Sequence, residues 1–207
     1  GVDTIRIAYD DFQTGALDET LERQYFLLGG QQGDFVRVVQ TVTEGDLLPA
    51  LRILNADFNA ISRMADTRAG EAVAYATLPE TGWYLIEAGR QRGAGAYTLA
   101  PSRLSNAVIT PGEQVEGQFT ADTPTMAFVF NATIEDRVFA TLTAVDDDFQ
   151  PHLTILDLNL NPLAERQATS RQARTRAVMP RSGPYIIQVH NAGGRQNAAF
   201  TLSLRRV

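Results

Sequence analysis

Through the first half of the chain, apolar side chains recur at every second position: Phe26 and Leu28, Val36 and Val38, Leu51 and Ile53, Val73 and Tyr75, Tyr84 and Ile86, Tyr97 and Leu99. A period of two puts such residues on one face of an extended backbone, so each pair marks a strand. Between the pairs lie clusters of Gly, Asn and Asp at residues 29–34, 55–59 and 89–95, spaced as the turns of a β-sandwich are. Residues 18–24 admit at most one helical turn, because no 3.6-residue pattern extends beyond them. The fold class predicted from this pattern is all-β.

The pattern is written twice. Displacing the sequence by 102 positions aligns 15–62 with 117–164 without a gap and gives eleven identities, among them Gly15 with Gly117, Phe26 with Phe128, Asp34 with Asp136, Pro49 with Pro151 and Asn59 with Asn161. Unrelated sequences of this composition would share about three, so a tandem repeat is the economical reading. The register then slips by one: Pro79, Gly82, Tyr84 and Ile86 match Pro180, Gly183, Tyr185 and Ile187. Near the ends, residues 96–99 face residues 199–202. Two domains are predicted, 1–103 and 104–207, joined by a short linker inside residues 100–111, where Pro101, Ser102, Asn106 and Pro111 fall.

In order, these features are an early Gly, an aromatic strand, Gly33-Asp34 opening a Val-rich strand, and Pro49-x-Leu51-x-Ile53-Leu54. A polar turn follows, then Pro79-x-x-Gly82-x-Tyr84-x-Ile86 and a closing Tyr97-Thr98-Leu99. Their order and spacing resemble the bacterial pre-peptidase C-terminal domain family, in two tandem copies covering nearly the whole chain. The second copy departs at Glu135 in place of Gly33 and at Phe200 in place of Tyr97. The resemblance implies two tandem jelly-roll-like antiparallel β-sandwich domains, secreted or periplasmic, attached to proteases or other extracellular proteins and without catalysis of their own. Members on clostridial collagenases bind calcium, and some bind collagen. The family's calcium ligands lie around the first strand, where Asp3, Asp10 and Asp11 are the loose counterparts.

Charge narrows the function classes. All 18 Lys+Arg residues are arginine, against 24 acidic residues, for a net charge of −6. That balance argues against nucleic acid, whose phosphates call for a basic excess. With no cysteine and two histidines, thiolate zinc sites, cysteine nucleophiles and imidazole-rich metal centres are excluded. No run of 18 apolar residues is present to form a transmembrane segment. The chain begins at Gly1 rather than methionine, as a removed leader or an expression scar would leave it.

Candidate chemistry is sparse. No Gly-x-Ser-x-Gly motif occurs, and a triad built on Ser182 and His190 has no supporting pattern, so no catalytic residue is assigned. Acidic loops precede the Pro-x-Leu strand in both copies: Glu44-Gly45-Asp46, and Asp146, Asp147 and Asp148. With Asp157, Asn159 and Asn161 they supply the alternating oxygens that suit calcium, the one cofactor these residues suggest. The EF-hand pattern stops halfway, since Pro162 and Ala168 stand where Gly and Glu belong. The alternative for residues 157–161 is an Asx turn between two strands.

Two surfaces are candidates for ligand contact. Trp83, the only tryptophan, alternates with core-facing Tyr84 and so points outward, either to stack on a sugar ring or peptide or to lie under a loop or the other domain. Arg174 and Arg176 project to one side of a strand whose counterparts at the 102-residue spacing are Ala72 and Ala74. The first domain carries nine arginines against fourteen acidic residues, the second nine against ten. The arginine face therefore suits an anionic protein or polysaccharide surface, or serves as charge protection on an edge strand. A non-catalytic extracytoplasmic accessory or binding module is expected, with a structural spacer or folding aid of a larger envelope protein or protease as the alternative.

Overall fold

A computed structural model describes residues 4–62, 65–68, 70–121, 123–146, 149–168, 170–192 and 197–207. Among the described residues every regular element is a strand, and the chain is an all-β sandwich protein. It divides into two compact units, Gly1–Leu104 and Ser105–Val207.

The first unit contains β1 (Thr4–Ile7), β2 (Gln13–Leu17), β3 (Arg23–Gly30), β4 (Phe35–Gly45), β5 (Leu48–Leu54), β6 (Asp66–Arg68), β7 (Glu71–Thr77), β8 (Gly82–Arg92) and β9 (Gly95–Ser105). They form two sheets, β1-β3-β8-β5 and β2-β9-β4-β7-β6. The second unit contains β10 (Ala107–Val108), β11 (Gln114–Phe119), β12 (Thr125–Ala132), β13 (Arg137–Ala144), β14 (Pro151–Leu156), β15 (Pro162–Gln167), β16 (Gln172–Val178), β17 (Gly183–Asn191) and β18 (Ala198–Arg206). Its sheets are β10-β12-β17-β14-β15 and β11-β18-β13-β16. Strand order is the same in both units apart from β6 and β15, which join opposite sheets. In each unit the opening strand pairs parallel to the third, β1 with β3 and β10 with β12.

The alternating apolar positions face inward except on β7, where Val73 and Tyr75 take the outer side and Ala72, Ala74 and Ala76 enter the core, because the small alanines fit beneath the facing sheet. Phe26, Leu28, Val38, Ile53, Ile86 and Leu99 are buried in one core, and Phe128, Phe130, Val138, Ile155, Ile187 and Leu202 in the other. The shared early glycine has a steric origin. Gly15 lies opposite Tyr97, and Gly117 opposite Phe200. A Cβ at Gly117 would stand 2.3 Å from the Phe200 ring, and one at Gly15 would stand 2.5 Å from the Tyr97 hydroxyl. The aromatic ring lies over the place a side chain would need.

The Asp motif closes the turn into β4 and β13. The buried Asp34 carboxylate accepts hydrogen bonds from the Tyr9 hydroxyl and the Gln31 N–H, both at 2.9 Å, and Arg103 on the last strand approaches to 3.6 Å. In the second unit Asp136 accepts the Thr133 N–H at 2.7 Å, with Arg206 at 3.0 Å. The preceding residue is left-handed in both, Gly33 at φ 86° and Glu135 at φ 68°. Glutamate thus adopts a conformation that glycine takes without strain. The Pro-x-x-Gly-x-Tyr motif is a tyrosine tie: the Tyr84 hydroxyl donates to the Glu80 carbonyl at 2.6 Å and accepts its N–H at 3.2 Å. Tyr185 does the same with Arg181.

Three expectations are corrected. The segment read as a linker is mostly strand, since β9 runs through Pro101 and Ser102 to Ser105, and the Pro101 carbonyl accepts the Asp10 N–H at 2.8 Å. Residues 18–21 are a bend rather than a helical turn: Asp18 Oδ1 accepts the N–H groups of Thr20 and Leu21. These bonds hold the Asp18 carboxyl below its usual pKa, the Thr20 hydroxyl contributing most. The counterparts of Arg174 and Arg176 are Val73 and Tyr75, not Ala72 and Ala74, because Arg174 faces Thr141 just as Val73 faces Val39. The one-residue slip therefore falls before β7 and β16, and a slip of one exchanges the two faces of a strand.

Candidate functional site

The outer face of the sheet β1-β3-β8-β5 gathers the chemistry of the first unit. Phe26, Leu28, Tyr84 and Ile86 turn into the core, so their neighbours Tyr25, Leu27, Trp83, Leu85 and Glu87 turn out. Trp83 is 51% exposed and sits across from Gly29, which leaves a flat bed for the indole. The parallel strand β1 sets Arg6 beside Leu27 and brings its guanidinium to 5.4 Å from the indole centroid, a cation–π contact. Phe58, exposed and at φ 63° in the turn after β5, meets the Tyr25 ring edge-on at 5.8 Å. Leu54 and Leu85 are buried although they belong to this outer side.

An ionic cluster borders the aromatic groups. Glu87, 8% exposed, lies 3.6 Å from Arg23 and 3.7 Å from Arg52, and accepts the Tyr25 hydroxyl at 3.0 Å. Burial raises the Tyr25 hydroxyl above its usual pKa, and the bond to Glu87 raises it further. Glu87 has two cations and a hydroxyl for partners, so its part is to fix Arg23 and Arg52. The face can stack on a ring and bond to polar groups. Among the described residues its one hydroxyl beside a carboxylate is Tyr25, which donates to Glu87.

The second unit lacks these groups at the matching positions. Pro184 replaces Trp83, Ala127 replaces Tyr25, Gln188 replaces Glu87, Thr154 replaces Arg52 and Val108 replaces Arg6. Its outer face instead brings the two histidines of the chain together. His152 and His190 are directly opposite on β14 and β17, with ring centroids 6.3 Å apart. His152 Nε2 is 2.6 Å from Glu165, while His190 Nδ1 lies 3.0 Å from the Pro124 carbonyl and 3.1 Å from the Thr125 hydroxyl. Neither this pair nor Arg6 was legible in the sequence, because each depends on a non-local strand pairing. Ser182 precedes β17 and His190 lies near its far end, about 26 Å away at a usual strand rise, and Ser182 Oγ accepts the Ile134 N–H. They form no triad.

Arg174 and Arg176 are exposed on β16, opposite Thr141 and Phe139. They line a groove of about 450 Å³ with Glu165, Arg166, Gln172 and Thr175.

The residues proposed for calcium are found in three settings. Glu44 is exposed at the end of β4, and Asp46 Oδ1 accepts the Ala94 N–H at 3.0 Å. Asp146 Oδ2 accepts the Ala199 N–H at 2.9 Å. Asp157 Oδ1 accepts the N–H groups of Asn159 and Asn161, and its Oδ2 accepts the Asn161 side-chain amide. Residues 157–161 are thus an Asx turn, as are 55–59, where Asn55 bonds Asp57 and Asn59 in the same way. Each of these N–H donors takes one of the several acceptor positions of its carboxylate or amide oxygen. Asp11 Oδ1 accepts the Phe12 N–H at 2.8 Å, while Asp10 bonds through its main-chain N–H to the Pro101 carbonyl. Asp147, Asp148 and Asp3 lie outside the described residues. Among the described residues no three acidic or imidazole groups gather as a metal site.

No family model matches the sequence, and no curated protein matches it. Among solved structures, the chain is similar to the pre-peptidase C-terminal domain of collagenase from Bacillus anthracis, at 16% identity and a TM-score of 0.41 over 48% of this chain and 93% of that one. It is similar to PliG, a periplasmic inhibitor of g-type lysozyme from Aeromonas hydrophila, at 14% identity and 0.38 over 49% and 98%. It is also similar to the M60 catalytic domain with two CBM51 domains of Clostridium perfringens ZmpB, at 7% identity and 0.29 over 93% and 34%.

Proposed function

We propose that the chain is a non-catalytic binding module of an extracytoplasmic protein, in which the outer face of the first unit contacts a polysaccharide or protein surface. The carrying observation is Trp83: half exposed, bedded on Gly29 and capped from one side by Arg6. An indole held flat offers large contact area with little entropy left to lose on binding. The neighbouring ion cluster of Arg23, Arg52 and Glu87 supplies polar groups already fixed in place. The order of motifs shared with the pre-peptidase C-terminal family supports an extracytoplasmic setting and a role without catalysis.

The test is binding of the 207-residue chain to insoluble cell-wall polysaccharides, chitin and collagen, with Trp83→Ala and Arg6→Ala beside it. Retention that falls about tenfold or more in Trp83→Ala supports the reading. Retention by both variants equal to that of the unchanged chain, or absent on every surface, overturns it and favours the spacer. The spacer draws its support from the second unit, whose matching face carries Pro184, Ala127 and Gln188 instead. Calcium is tested separately by a melt in calcium against chelator. A ligand of the folded state at about 100 times its Kd adds about 2.7 kcal/mol, so a rise of several degrees would place a cation in the acidic loops.

A further inference from the structure

We infer that the second unit takes an extended acidic peptide segment of a partner protein as an added strand along β16. That strand ends its sheet, β11-β18-β13-β16. Its counterpart β7 does not end its own, because β6 pairs with it: Asp66 opposite Val73, Thr67 opposite Ala72 and Arg68 opposite Glu71. One position in the fold is thus filled by the chain itself in the first unit and, among the described residues, left without a paired strand in the second.

The difference arises just after the Asx turn. In the first unit the chain pairs back at Leu54 with Ala60, bonds once more through Ile61 and Ser62 to Ile53, and then crosses to the other sheet. In the second it stays with β14 as β15, from Leu156 opposite Pro162 to His152 opposite Gln167. Two edge strands of opposite sheets are left flanking the groove, lined by Arg166, Arg174 and Arg176 with one carboxylate, Glu165. Glu165 already bonds His152. Arg23, Arg52, Arg90, Arg103 and Arg206 each have an acidic partner, whereas among the described residues the three groove arginines form no ion pair.

An open edge offers a row of backbone donors and acceptors that a peptide can reciprocate. Guanidinium groups beside that row select carboxylates and repel a second copy of the same edge. Sugars match the charge but not the ladder, which favours peptide over acidic polysaccharide. This site is distinct from the Trp83 face and stands or falls without it.

The probe is an acetylated fluorescent peptide of alternating Glu and Val, titrated into the 207-residue chain. Alongside it run the same peptide N-methylated at alternate residues, and dextran sulfate. Saturable binding is expected, weakened about tenfold or more by N-methylation and by the double change Arg174→Glu with Arg176→Glu. Trp83→Ala should leave it unchanged. Amide exchange at residues 172–178 should slow when the peptide binds. Absence of binding, equal binding of the N-methylated peptide, or competition by dextran sulfate without slowed exchange would each overturn strand addition. The N-methylated arm needs no protein variant, so a misfolded double variant would not blunt the test.

Discussion

The two units share strand order, the parallel opening pair, the Asp-closed turn, the glycine beneath an aromatic ring and the tyrosine tie, yet differ at nearly every outward position of the matching sheet face. Arg6, Tyr25, Arg52, Trp83 and Glu87 in one correspond to Val108, Ala127, Thr154, Pro184 and Gln188 in the other. What is common is what closes turns and fills cores. What differs lies on a face and an edge where the fold imposes little. Function is therefore to be sought in the differences, the aromatic face of the first unit and the open arginine edge of the second.

The largest expected effect lies in the shared Asp turn. Asp34 is 1% exposed and Asp136 lies nearer solvent. Asp34→Ala strands a partly buried tyrosine hydroxyl and a backbone N–H, for an expected loss of about 3 kcal/mol. Asp136→Ala should lose about 1 kcal/mol. Urea unfolding followed by Trp83 fluorescence, which reports the first unit alone, and by circular dichroism, which reports both, separates the two. Equal losses would show that the turns do not differ in burial as described.

Gly117→Ala and Gly15→Ala come next, each expected to lose about 2 kcal/mol through displacement of the overlying ring. If Gly117→Ala melts like the parent, Phe200 has room to move and the steric account of that glycine fails.

Alkaline pH should break the comparison open. Burial raises Tyr9, Tyr25 and Tyr97 above the ordinary value near 10, with the bond to Asp34 adding at Tyr9 and that to Glu87 at Tyr25. All three are in the first unit, and Phe200 stands at the position of Tyr97 in the second. The unfolded chain gives up these protons first, so their contribution is whole below pH 10 and is lost as the pH rises above it. Trp83 fluorescence should report unfolding of the first unit at a lower pH than circular dichroism reports for the second. Simultaneous loss of both signals would contradict this.

The smallest effect expected is a gain. Gln40 is fully buried, its Nε2 donating to the Gly89 carbonyl at 3.3 Å and its Oε1 unpartnered among the described residues, where the second unit has Leu142. Gln40→Leu should stabilise the first unit by about 1 kcal/mol in the same urea assay. A loss would mean that the bond to Gly89 outweighs the unpartnered oxygen.

Much of the architecture was legible because it is local. A period of two reports a half-buried strand whatever its partner, and Asn55 and Asp157 close their turns with amides two and four residues away. The outward direction of Trp83 followed from its alternation with Tyr84. Its partner Arg6 did not, since β1 reaches β3 across 21 residues of sequence through a parallel pairing that no turn signal announces. The acidic loops read as oxygen clusters because spacing does not reveal that Asp46, Asp146 and Asp157 each also accept a backbone N–H. The counterparts of Arg174 and Arg176 were misplaced by one because the slip lies in a segment that the two units route to different sheets.

Alternation, turn residues and the repeated motifs determined by themselves that the chain forms strands, which side chains enter a core on the strands other than β7, and where glycine, aspartate and tyrosine hold the turns. These are consequences of backbone geometry over a few residues, and sequence order carries them directly. Only the tertiary structure decided which strands end their sheets, that β6 covers β7 while β16 has no second paired neighbour among the described residues, that Arg6 lies over Trp83, and that His152 faces His190. Those arrangements follow from the pairing of distant segments, which is settled by the packing of two whole sheets rather than by any one stretch of chain.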